Sequence, residues 1–134
     1  MRRWSLAAFV LLACSTRPDP VSPKRPNTEL IVGEFERRPP VGEQAIRFEA
    51  DGSFRVAKNK AELDHTPHLA DGTYKLDGDQ LTFSDTKGQC MESAGDTQGT
   101  YTVTISKIGI RFVKVSDSCG PRSKLDGQTW WRIK

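Results

Sequence analysis

From Glu29 onward the chain is a succession of short runs in which apolar and polar residues alternate, each ended by a turn signal, with Asp-Gly at 51–52, 71–72, 77–78 and 126–127. A period of two belongs to a strand with one buried face, and Asp-Gly is a favoured pair for tight reversal. The pattern predicts strands at 29–36, 44–50, 53–58, 72–77, 80–85, 99–105, 109–115 and 128–133, with a further strand possible through Cys90 and a short turn at 60–63. No helical period runs long enough to compete.

The apolar faces fix registers. Opposed residues point to the same side of a sheet. Phe48 with Phe54 and Ile46 with Val56 leave a three-residue loop, Ala50-Asp51-Gly52, with Gly52 left-handed. A two-residue Asp-Gly turn would set Phe48 against Arg55, which burial forbids. Tyr74 and Leu76 match Phe83 and Leu81, and Tyr101, Val103 and Ile105 face Ile110 and Phe112. Three consecutive hairpins argue for an up-and-down antiparallel sheet. Eight strands leave two exposed edges unless the sheet closes. The expected fold is therefore all-β, a small eight-stranded up-and-down barrel, with a two-sheet sandwich as the alternative.

The N-terminus reads as an address. Met1-Arg2-Arg3 is basic, Trp4–Leu12 is a mainly apolar run of nine, and Ala13-Cys14-Ser15 follow. The run is too short to span a bilayer and fits a secretory signal. Leu11-Leu12-Ala13-Cys14 resembles the lipobox of bacterial lipoproteins. That resemblance implies cleavage before Cys14, a lipid on its thiol, and stable anchoring through several acyl chains. It also implies, with Ser15 after the cysteine, the outer membrane facing the periplasm. Residues 1–13 are then a signal peptide and 14–28 the lipidated cysteine and tether; Ser15–Thr28 carry four Pro and one large apolar residue, Val21. Such a segment should be an extended spacer. The domain spans 29–134.

Three Cys, at 14, 90 and 119, are an odd number for an exported chain. Lipidation of Cys14 leaves Cys90 and Cys119 to form a disulfide in an oxidising compartment, worth roughly 3–4 kcal/mol.

The second half resembles small bacterial lipocalin-like domains of the calycin group. The resemblance rests on Gly72-Thr-Tyr-Lys-Leu-Asp-Gly-Asp-Gln-Leu-Thr-Phe83, Cys90, Gly99-Thr-Tyr-Thr-Val103, Ser116-Asp-Ser-Cys119, Arg122 and Trp130-Trp131-Arg132. It covers about 60 residues, and implies a bridged Cys pair and a generic habit of binding small ligands. Where such domains have Gly-x-Trp near the first strand, this chain has Gly33-Glu34-Phe35.

Phe48, Phe54, Tyr74, Phe83, Tyr101, Phe112 and Trp131 are the expected lumen and candidate ligand contacts. Trp130 and Trp131 are adjacent, so a strand sends them to opposite sides. Asp117 and Arg122, flanking Cys119, are expected to brace one end of the barrel.

Catalytic patterns are not evident. His65 and His68 lie in a polar connection with Asp64 and Asp71, and Pro67 keeps them off a regular helix, so no metal site is expected. Asp77 and Asp79 flank a turn glycine and read as turn formers. No nucleophile elbow and no phosphate-binding Gly loop occurs, so neither an enzyme nor a cofactor is expected.

The charge narrows the partners. The chain has 20 basic and 17 acidic residues, a net +3, which alone would suggest nucleic acid. Without Arg2 and Arg3 the count is 18 against 17. Without Arg17, Lys24, Arg25 and Asp19 it is 15 against 16, so the domain is at −1 and makes no electrostatic case for nucleic acid. The expectation is a monomeric envelope lipoprotein, held to the membrane by its lipid, whose barrel binds a small hydrophobic or amphipathic molecule. The alternative is a filled barrel that works as an interaction or inhibitor module on an envelope protein, through loops such as 85–98. A carrier needs an apolar cavity of roughly a few hundred Å³ open at one rim, whereas an inhibitor would have a filled core and exposed loop residues.

Overall fold

A computed structural model describes residues 25–39, 42–92 and 98–133. The readings of residues 1–13 as a signal, of Cys14 as lipidated, and of 15–24 as a spacer fall outside them.

Eight antiparallel strands, β1 (Gly33–Arg37), β2 (Gln44–Phe48), β3 (Ser53–Ala57), β4 (Ala70–Asp77), β5 (Gln80–Gly88), β6 (Gln98–Ile105), β7 (Gly109–Asp117) and β8 (Thr129–Arg132), close in sequence order into one barrel. Closure is antiparallel, with Phe35 opposite Arg132 and Glu36 opposite Trp131. The three hairpin registers are those the apolar faces require: Phe48 opposite Phe54, Tyr74 opposite Phe83, and Val103 opposite Phe112. Gly52 and Gly78 turn with φ of 89° and 60°. The Asp71-Gly72 pair does not turn. It lies within β4, at a register shift against β5, where a Cβ on Gly72 would stand 2.8 Å from both Asp85 Cα and Phe54 Cε1.

Aromatic rings fill the lumen edge to face. Phe48 contacts Phe35, Tyr74 and Phe83, and Phe83 passes the chain of contacts through Tyr101 and Phe112 to Trp130.

One end is plugged. A single helical turn, α1 (Asn27–Leu30), stands where the alternation predicted strand and tether. Leu30 and Ile31 close the barrel floor, and Asn27 Nδ2 donates to Gly78 O at 2.9 Å. Arg132 stacks 4.6 Å over Phe35 and donates to the carbonyls of Leu30, Val32 and Ser106. Phe35, fully buried, thus provides the closing contact at Gly33-Glu34-Phe35.

At the opposite end lie the longer connections. The β3–β4 connection forms a 3-10 turn, Lys60–Asp64, that folds over the outer face of β2 and β3. There Leu63 packs on Ala45 and Ala57, while Arg47 pairs with Glu34 at 2.6 Å and Asp64 at 2.8 Å. Two further single turns, α2 (Gln89–Glu92) and α3 (Gly120–Ser123), are joined by the Cys90–Cys119 disulfide. Cys90 lies on α2 and not on a strand.

The two tryptophans are reversed from expectation. Trp130, 1% exposed, is the lumen residue. Trp131, 36% exposed, lies outside with the Arg38 guanidinium 5.4 Å from its ring centroid. The cause is register: Trp130 opposes the inward-facing Ile110, so the next residue points out.

Candidate binding site

The barrel's open end contains a cavity of about 110 Å³. Its apolar wall is Ile46, Phe54, Val56, Ala70 and Phe83 from the strands, Trp130 from β8, and Leu125 from the loop after α3. Pro121 and Cys90 roof it from the two disulfide-linked turns. Alternation explains the lining: Ile46 and Phe48 on β2, Phe54 and Val56 on β3, and Leu81 and Phe83 on β5 all face inward.

A buried polar cluster forms one side. Arg122 makes a bidentate pair with Asp117, Nε to Oδ2 at 2.7 Å and Nη2 to Oδ1 at 2.9 Å. Its Nη1 donates to Asp85 Oδ1 at 3.0 Å. The Tyr101 hydroxyl lies against the Asp117 carboxylate and 2.9 Å from Arg122 O. Asp117 also accepts from the Cys119 N–H at 2.9 Å, which ties the cluster to the disulfide.

The two carboxylates differ in electrostatic setting. Burial pushes Asp85 up, and the Arg122 charge offsets that only in part. Burial also opposes the Asp117 anion, but hydrogen bonds from Arg122, Tyr101 and the Cys119 N–H outweigh it and hold its carboxyl below the usual range. Burial first, then the hydrogen bond to Asp117, pushes the Tyr101 phenol up. Arg122 itself is raised, because the two carboxylates overcome its desolvation.

The rim is cationic. Arg37 and Lys124 line the cavity with Gln44, and the Arg37 guanidinium lies 5.7 Å from the Trp130 ring centroid.

Of the expected lumen residues, Phe54 and Phe83 reach the cavity. Phe48, Tyr101 and Phe112 are buried below it, and Tyr74 is half-buried with its hydroxyl donating to Glu49 O at 2.6 Å. Asp117 and Arg122 form the expected ion pair. The sequence reading missed Asp85 and Arg37. Parity was the available signal: Asp85 follows Leu81 and Phe83 on one face, and Arg37 follows Phe35.

His68 is committed elsewhere. Its Nδ1 is 2.7 Å from Asp71 Oδ1 and its Nε2 is 3.0 Å from Leu63 O, so it pins the 3-10 turn.

No family model, no curated protein and no solved structure matches the chain.

Proposed function

We propose that this chain is a bacterial envelope lipoprotein, anchored through Cys14, whose lipocalin-like barrel binds a small hydrophobic or amphipathic ligand at its open end. The observation that carries the binding reading is the cavity lined by Ile46, Phe54, Val56 and Trp130 beside a fully engaged polar cluster. Polar groups that satisfy one another leave the apolar wall as the recognition surface. At about 110 Å³ the cavity is smaller than sites for drug-sized molecules. An engineered cavity of about 150 Å³ encloses benzene, so the enclosed part of a ligand here is at most one ring or a short branched chain.

A second reading, a filled barrel serving as an interaction module, draws on the lower lumen, which aromatic rings occupy from Phe35 to Trp130.

Native mass spectrometry of the protein taken from the cell envelope separates the two. A co-purifying small molecule supports the carrier, and a bound protein with an empty cavity supports the module. The anchor is tested by Cys14→Ala, which should move the protein to the soluble fraction. A variant that stays with the membrane overturns the lipoprotein reading.

A further inference from the structure

Two arginines line the cavity, Arg37 and Arg122, and Arg37 is the one without a carboxylate partner among the described residues. Arg47 is paired with Glu34 and Asp64, and Arg122 with Asp85 and Asp117. Arg37 lies on the cavity wall, and among the described residues no carboxylate is within ion-pair distance of it. Its Nε donates to Gly42 O, and its ring neighbour is Trp130. Desolvation alone shifts it, downward, with no opposing carboxylate. A partly desolvated guanidinium without an anion is an unmet electrostatic demand. Lys124, exposed at the end of α3, also lines the cavity and likewise has no carboxylate partner among the described residues.

The opposite side of the cavity has the reverse sign. There Asp85 and Asp117 share the single cation of Arg122, so one negative charge is left over. An anion is attracted to Arg37 and Lys124 and repelled from the Asp85 side. Gln44, opposite Arg37 across β1 and β2, adds an amide to the rim.

We propose that the cavity takes a small carboxylate, its ring or short branched chain inside and its anionic head held by the Arg37 guanidinium, with Lys124 adding charge. This rests on the binding reading above and adds the ligand's charge and orientation. A planar, two-pronged guanidinium matches a carboxylate, and a monoanion suits one arginine and one flexible lysine.

Benzoate and its neutral analogue benzamide are suitable probes, titrated against the full chain by ligand-observed NMR. Benzoate should bind about tenfold tighter than benzamide, the effect of one charge-assisted hydrogen-bonded pair. Raising the salt should weaken benzoate alone. Arg37→Gln should remove most of the benzoate preference over benzamide. Val56→Phe should abolish both by filling the cavity. Equal affinities for the two probes in the parent chain overturn the carboxylate inference and leave the cavity reading standing. So does a benzoate preference that Arg37→Gln leaves undiminished. Neither probe binding at up to about 10 mM, a level that registers even weak millimolar sites, overturns both.

Discussion

Gly99 lies so close to Asp117 that a Cβ on Gly99 would overlap the Asp117 carboxylate and stand 2.7 Å from Arg122 Nε. The ion pair that braces the open end therefore occupies the space a side chain would need on β6. Substituting Gly99→Ala should push the pair apart and cost about 1–3 kcal/mol, the usual range for overpacking. Gly120→Ala, where nothing lies within 4 Å, should stay within about 0.5 kcal/mol of the parent. Urea unfolding of both variants checks the contrast, and equal losses would refute it.

The tryptophan pair makes a second contrast. Trp130→Ala empties the junction between Phe112 and the cavity and should cost about 3–5 kcal/mol. Trp131→Ala removes an exterior ring under Arg38 and should cost less than about 1 kcal/mol. Chemical denaturation midpoints at matched slopes give both numbers.

Reducing the Cys90–Cys119 bridge, 29 residues apart, should lower stability by roughly 3–4 kcal/mol. The loss should appear in thermal melts with and without reductant, and the Cys90→Ala, Cys119→Ala double variant should match the reduced protein. The bridge holds α2 to α3, the roof of the cavity, so ligand affinity should fall with it.

Asp85 and Asp117 should act on acid stability with opposite signs. Asp117 is held below its ordinary 3.8, so its contribution is present above that value and is lost as pH falls through the folded-state pKa. Asp85 is raised, so its contribution is present below 3.8 and is lost as pH rises through its folded-state pKa. Asp117→Asn should therefore flatten the acid limb of the stability curve, and Asp85→Asn should steepen it. Unfolding free energies measured at intervals from pH 7 down to pH 3 test the signs.

The barrel was legible because its hairpins pin one another. Ile46 and Phe48 can share a buried face with Phe54 and Val56 in only one register, and the same holds for Tyr74 with Phe83 and Val103 with Phe112. The N-terminal turn was not legible by alternation, since Leu30, Ile31 and Val32 are consecutive apolar residues that suit strand and plug alike. What decides it is local: the Glu29 and Leu30 amides both donate to Pro26 O at 3.0 Å, and that reversal drops Leu30 and Ile31 into the floor. The tryptophan assignment failed because β8 carries an inward arginine. Arg132 shares the inner face with Trp130, and a cation there becomes plausible only once Phe35 and the carbonyls of Leu30 and Ser106 are in place to receive it. The Asp117–Arg122 brace was visible from its spacing around Cys119, whereas its third member, Asp85, lies 37 residues away from Arg122 and meets it only after the barrel closes.

The placement of α1 gives the molecule a direction. The chain enters at the stopper, where Asn27 is fastened to Gly78, and β1 then climbs from Gly33 to Arg37, so the cationic lip is at the far pole from the point of entry. Whatever grips the chain upstream of Arg25 grips it by its base. Were the proposed lipid anchor in place, the chain would join the barrel at its floor, and Arg37 and Lys124 would open at the pole away from that junction.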